Sequence, residues 1–236
     1  MKKAIILSIL ISLFIRENAY SQREKIINLP NEEKKTWNFG FYLGMISSNY
    51  DIEYKESIYS ETQVVVEGDY GFKLGVIGEW KLNKNLSIRL EPGIASNVNK
   101  LYFNNRALLT ERDSVREVPK TYLHIPLMVK FATNRLNNIR PFVIGGVSYD
   151  LNFSSNQDNP EDNLSGEFRM TKHNFMYEIG VGMDFYMDWF KFSPSIIGVF
   201  AINNELHPDN NDATSPYTGP IKSMKNSGIF LKLVFD

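Results

Sequence analysis

The chain contains no cysteine. That excludes a disulfide framework, zinc–thiolate sites, thiol catalysis and a lipid-bearing N-terminal cysteine. It has no excess of either charge: 26 Lys and Arg stand against 27 Asp and Glu, for a net −1. No global field therefore points to nucleic acid or to an anionic surface. Long apolar runs are also missing. The apolar run Ala4–Ile15 is too short for a spanning helix, which needs ~20 residues. No phosphate-cradling glycine loop, nucleophile elbow or helical pair of metal ligands occurs. The chain does have aromatic residues, 13% of the total and mostly Phe and Tyr, and a two-residue rhythm that runs nearly from end to end.

The N-terminus reads as an export signal. Met1-Lys2-Lys3 is a basic start, Ala4–Ile15 a short apolar core, and Ala19-Tyr20-Ser21 offers the small residues a signal peptidase reads. The expected organisation is a signal peptide over 1–21, a polar, solvated periplasmic lead-in over 22–36, and one barrel domain over 37–236.

Alternation is clearest over Thr121–Phe153. Leu123, Ile125, Leu127, Val129 and Phe131 share one parity, and Tyr122, His124, Met128 and Lys130 the other. Successive side chains of a strand point to opposite faces. The same split recurs in eight predicted strands, the others beginning near Trp37, Tyr70, Leu86, Ile139, Phe175, Phe190 and Gly228. One parity carries no charge. The other carries Lys73, Glu79, Lys81, Arg89, Glu91, Lys130, Arg140, Asp150, Glu178, Asp184, Lys191 and Lys232. The connections alternate long and short. The long polar ones fall at about Ser47–Asp69, Asn99–Lys120, Ser154–Lys172 and Asn203–Met224, although Tyr50, Ile52, Tyr54 and Val64–Val66 could prolong the flanking strands. Asn83-Lys84-Asn85 and Met187-Asp188 mark tight turns. An even strand count, long loops at one rim and short turns at the other predict an all-β fold: an eight-stranded antiparallel up-and-down transmembrane β-barrel.

A soluble lipocalin-like barrel alternates too, but with its apolar face inward. Residue types separate the two readings. Gly40, Gly44, Gly75, Gly93, Gly146, Gly180 and Gly182 lie on the charged parity, where they suit the crowded inside of a narrow barrel. Trp37, Tyr70, Trp80, Tyr149, Phe190 and Phe235 lie on the apolar parity near strand ends, where interfacial girdles sit. Charge should therefore fill the inside, with lipid outside. Eight strands leave an interior that side chains fill, so no open pore is expected. Function then falls to the loops, the rims or the outer wall. The predicted location is the outer membrane, with lipid as the first partner.

Candidate chemistry is thin. His124 lies on the inward parity, and His173 and His207 at loop junctions, in different segments; a site needs partners that converge in space. Asp209, Asn211 and Asp212, like Asp158, Glu161 and Asp162, are acidic clusters without the glycine and distal glutamate of a calcium loop. Solvated loop charge accounts for them. The expectation is no catalytic, cofactor-binding or metal residue, no nucleic acid and no small-molecule substrate.

Several motifs resemble the PorT family of Bacteroidota. They are Asn38-Phe39-Gly40-Phe41-Tyr42-Leu43-Gly44, Glu91-Pro92-Gly93, Thr121-Tyr122-Leu123-His124-Ile125-Pro126-Leu127, Arg140–Tyr149, Asn159-Pro160-Glu161-Asp162-Asn163, His173-Asn174-Phe175, Lys191–Ser195 and Ile202-Asn203-Asn204-Glu205-Leu206. The likeness spans about residues 30–236. It implies a non-enzymatic outer-membrane component of the type IX secretion system, which exports proteins and supports gliding motility, with other secretion components as partners. It brings no site residues. The alternatives are a generic outer-membrane barrel acting through its loops, as adhesin or enzyme, and the soluble ligand-binding barrel.

Overall fold

Strands that alternate this strictly can satisfy every backbone group only by pairing, and in lipid only by closing on themselves. The computed structural model describes residues 26–55, 63–68, 70–104, 115–155, 157, 170–208, 218 and 220–236. In chain order the strands are β1 (Trp37–Tyr54), β2 (Gln63–Gly68), β3 (Tyr70–Lys81), β4 (Leu86–Leu90), β5 (Gly93–Asn104), β6 (Val115–Ala132), β7 (Ile139–Asn152), β8 (His173–Tyr186), β9 (Lys191–Ala201) and β10 (Ile221–Phe235). Every ladder is antiparallel, and β1 pairs with β10 on one side and β3 on the other, so the sheet closes into a ring.

Ten segments make eight staves, because β2 continues into β3 and β4 into β5. The second break falls at Glu91-Pro92. The register is unchanged across it: Gly78 faces Leu90 and Gly75 faces Gly93. Pro92 has no N–H to give to the ladder, though its carbonyl still accepts from Val76 N at 3.0 Å. The predicted third strand is therefore one stave with a proline interruption.

The parity rule holds throughout the lipid band. Phe39, Phe41, Leu74, Val76, Val129, Ile179, Val181 and Leu231 stand on the exposed wall, while Arg89, Lys73 and Lys232 are fully buried. Aromatic pairs ring the short-turn end: Trp37 stacks on Trp80 at 5.8 Å and Phe41 on Phe235 at 5.2 Å. At about 3.3 Å per residue and a tilt of about 40°, the apolar run Trp37–Met45 covers roughly 20 Å of bilayer.

Two predicted loops are largely sheet. β1 runs to Tyr54 and β2 starts at Gln63, inside the stretch expected as a loop over Ser47–Asp69; β5 and β6 likewise occupy most of Asn99–Lys120. The polarity rule inverts there. Ser47, Asn49, Asp51 and Glu53 face outward, while Tyr50 is buried and Ile52 half-buried. Above the lipid the outer wall meets water, so it carries ions: Lys222 Nζ bonds Glu53 at 2.5 Å. The inside carries a second apolar cluster of Tyr50, Leu101, Met170, Leu206, Ile221 and Met224. Reading polarity as a loop signal fails once a strand leaves the membrane.

The lead-in also differs from expectation. Residues 26–36 include a short 3-10 turn, Glu32–Lys34, and lie across the short-turn mouth rather than free in solvent. Asn28 N donates to Asn138 Oδ1 at 3.0 Å and Asn28 Nδ2 to the Tyr186 carbonyl at 3.0 Å. Lys81 Nζ donates to the Glu32 carbonyl at 2.6 Å. Glu32 is buried because the rim supplies donors for both its backbone and its side chain. The expected signal segment, 1–21, lies outside the described residues.

Candidate functional site: a lumen sealed at both mouths

The inward parity of eight staves delivers ionic side chains to one column. Nearest the short turns, Arg89 from β4 faces Glu79, Glu91 and Asp236 at 4.0, 3.5 and 3.7 Å. Lys191 from β9 reaches Asp236 at 3.0 Å and Glu79 at 3.8 Å. Lys130 donates to both oxygens of Asp184 at 2.7 and 2.8 Å, and Ser193 Oγ donates to the same carboxylate. One layer up, Lys232 donates to Glu91 at 2.5 Å. His124 sits between Asp150 at 2.5 Å and Glu178 at 3.0 Å, with Lys73 Nζ 3.5 Å from its Nε2. The ammonium of Lys73 also lies over the Phe230 ring at 5.0 Å.

Desolvated charge is tolerated only when it is paired. Here Arg89, Lys130, Lys191 and Lys232 each have a carboxylate delivered from another stave, so the network ties the staves of the ring together, while Lys73 is held by His124 and the Phe230 ring. Apolar bulk fills the gaps between the layers. Tyr42 crosses the lumen and donates to the Glu91 carbonyl at 3.2 Å. Its ring occupies space that a side chain at Gly75 would need: a Cβ there would lie 2.7 Å from Tyr42 Cε1 and 2.6 Å from the Gly93 Cα. The inward glycines are thus slots for large neighbours. The voids lined by this network, one by Glu79, Lys130 and Asp184 and one by Lys120, Asp150 and Glu205, are about 10 Å³ each. That is room for about one water.

The long-loop mouth is closed by a part of the chain that the sequence reading left in a loop. Residues 202–206 fold inward between β8 and β10. Asn203 Oδ1 accepts from Phe175 N at 2.7 Å, and Asn204 Oδ1 accepts from Leu206 N and Met224 N at 3.1 and 2.9 Å. These amides carry Glu205 and Leu206 into the barrel, where both are buried, and Leu206 bridges to Met170. Beneath them the Lys120 ammonium lies 3.8 Å from the centre of the Tyr50 ring. The usable signal was Leu206, an isolated apolar residue among amides, matched by inward Tyr50, Ile52 and Leu101.

Burial pushes the Glu205 carboxyl up to about 7, against the opposing field of Lys120 and with help from Asp150. A carboxyl whose pKa is raised on folding stabilises the closed mouth below its unfolded value and loses that contribution as pH rises through about 7. Closure is therefore expected to be firmer at pH 5 than at pH 8.5. In urea titrations of the barrel in vesicles, Glu205→Gln should flatten the pH dependence across that window. A mutant profile parallel to the wild type would contradict this assignment.

The histidines do not converge. His124 is in the lumen. His173 is on the outer wall, where its Nδ1 lies 2.6 Å from Tyr149 Oη. His207 is in the loop beyond β9, its Nδ1 3.0 Å from the Pro208 carbonyl oxygen. Among the described residues no group of three or more His, Asp or Glu is arranged to hold a metal ion. Asp158, Glu161, Asp162, Asp209, Asn211 and Asp212 lie outside the described residues.

The chain is similar to OprG from Pseudomonas aeruginosa at 12% identity, covering 84% of this chain and 93% of that one, with a TM-score of 0.49. It is similar to Neisserial surface protein A at 8% identity, covering 85% and 98%, with a TM-score of 0.45. It is similar to Ail of Yersinia pestis, solved with the heparin analogue sucrose octasulfate, at 12% identity, covering 85% and 99%, with a TM-score of 0.40. A search of curated protein sequences returned no match. The family model described as outer membrane protein beta-barrel domain matches residues 20–207, well over half of the chain. With an apolar wall outside and a paired ionic column inside, the chain belongs to the outer membrane protein beta-barrel domain family, and its place is the outer membrane.

Proposed function

We propose that this barrel is a non-enzymatic component of the type IX secretion system, needed for its assembly or operation and so for gliding motility. The observation that carries the reading is the sealed lumen. Both mouths are covered by the chain itself, and Lys130, Lys191 and Lys232 are held by interior carboxylates, which leaves the rims and the outer wall for partners. The resemblance to the PorT family supplies the identity of the machine. Its motifs fall on load-carrying places: Thr121–Leu127 brings His124 into the column, Lys191–Ser195 starts β9, and Ile202–Leu206 forms the inward closure. An interior committed to structure also argues against catalysis or transport of a small molecule through it.

Deleting the gene is expected to abolish release of type IX cargo, read by immunoblot of the culture medium, while detergent and antibiotic sensitivity stay near wild type. Normal cargo release from the deletion strain would end this reading. Cargo loss that only accompanies general leakiness would favour a plain structural barrel.

A further inference from the structure

We propose that the corner formed by Arg135, Asn138 and Tyr186 at the short-turn rim is a receptor for extended polypeptide backbone. The lead-in occupies it as a releasable strap, and a segment of a periplasmic polypeptide takes it in the strap's place. The lead-in is held in two separate halves. Its base is tied to nearby staves: Asn38 Nδ2 donates to Glu32 Oε1 at 2.5 Å, and Lys81 Nζ donates to the Glu32 carbonyl at 2.6 Å. Its distal half, residues 26–29, lies instead on the β6–β7 turn. Asn138 Nδ2 donates to the Ile26 carbonyl at 2.9 Å, and Asn138 Oδ1 accepts from Asn28 N at 3.0 Å. Arg135 Nη1 donates to the Leu29 carbonyl at 3.3 Å, and its Nη2 donates to the Asn28 carbonyl.

The corner reads main chain. It engages three carbonyls and one N–H of the strap, and one side chain, that of Asn28, whose Nδ2 donates to the Tyr186 carbonyl at 3.0 Å. Among the described residues the hydrogen bonds of Arg135 go only to neutral groups. Its guanidinium is braced on three sides: Nε donates to the Asn137 carbonyl at 2.5 Å, Nη2 to Asn138 Oδ1 at 2.8 Å, and the carbon between them lies 3.7 Å from the centre of the Tyr186 ring. A planar fork held in this way is a ready donor set, and rigid placement of the receiving groups lowers the ordering cost of binding. Bonds to main chain accept any extended sequence that supplies the carbonyls.

Two features make the strap releasable. Leu29 has φ 48° and is followed directly by Pro30. A residue before proline prefers extended backbone, and the left-handed region crowds any Cβ. The hinge between base and distal half is therefore strained while the strap is down, and it relaxes when the strap lifts. The strap also buries little apolar surface, since Ile26 is 78% exposed and Ile27 58%. It is held by hydrogen bonds with little hydrophobic burial behind them, and such bonds contribute modestly. Leu136, on the same turn, is left 64% exposed. A segment that offers the same backbone, one Asn and an aliphatic side chain over Leu136 gains what the strap lacks. The inference goes beyond the secretion reading and needs only a barrel whose short turns face the periplasm.

The test uses the full chain in nanodiscs and a fluorescein-labelled peptide with the sequence of residues 24–31, followed by anisotropy. The wild type should bind it saturably but weakly, because the strap competes. Asn28→Ala in the chain loosens the strap and should strengthen peptide binding about fivefold. In that loosened variant, adding Arg135→Gln should weaken binding about tenfold, and adding Asn138→Ala gives a second reading. The same Asn-to-Ala change made in the peptide should weaken binding instead. Heat-shifted gel mobility confirms that each variant folds. No gain from Asn28→Ala, or no loss on adding Arg135→Gln, would overturn the proposal. So would pairing of chains that Arg135→Gln abolishes, which would give the corner to a second copy. Cargo secretion is not read in this assay, so its outcome is separable from that of the secretion role.

Discussion

Replacing Arg89 with methionine is expected to cost about 3–5 kcal/mol of folding stability, the usual loss when one member of a buried ion network is removed. Arg89 is fully buried. Its guanidinium stands between Glu79, Glu91 and Asp236 at 3.5–4.0 Å. Methionine fills similar space but leaves those carboxylates with Lys191 and Lys232 alone. The measurement is the urea midpoint for refolding into lipid vesicles. Arg89→Lys keeps the charge and should recover part of the loss. Adding Glu79→Gln to Arg89→Met should recover more than additivity allows, since the two side chains share one network. A loss under about 1 kcal/mol would mean that the remaining lysines neutralise the site unaided, against the cost expected of an uncompensated buried charge, and Arg89 would no longer be the hub.

The membrane part of this fold was legible in the sequence for a physical reason. Lipid forbids charge on one face and closure forbids a sheet edge, so alternation, the long–short order of connections and the placement of Gly75 and Gly93 all carry the same message. Lys232 could be placed inside from its parity alone. Outside the lipid that constraint lapses. Asp51 and Glu53 continue a strand whose wet face is now outward, so a polarity rule reads them as loop. The closing segment at Asn203–Leu206 and the covering lead-in were hidden differently. Both are held by side-chain amides and backbone carbonyls, as in Asn204 to Met224 and Lys81 to Glu32, and such contacts leave no periodic trace.

The same partition of faces predicts a steep dependence on depth. Val181 lies in the middle of β8 on the outer wall, 59% exposed, between Val143 and Ile196 on the neighbouring staves. Val181→Arg should destabilise the barrel by about 2–4 kcal/mol, as expected for a basic side chain at the bilayer midplane. Ser47 shares the outward parity of β1, but it stands where Asp51 and Glu53 begin the wetted wall. There the guanidinium reaches headgroups and acidic neighbours, so Ser47→Arg should cost only about 0–1 kcal/mol. Both values come from urea titrations in the same vesicles, so the contrast cancels errors of extrapolation common to the two. If the two substitutions cost the same, the apolar wall does not stand in lipid at the depth assigned to it. If Ser47→Arg proves the worse, the boundary lies above Ser47, and the charged strand ends of β1 and β10 would have to be placed within the bilayer.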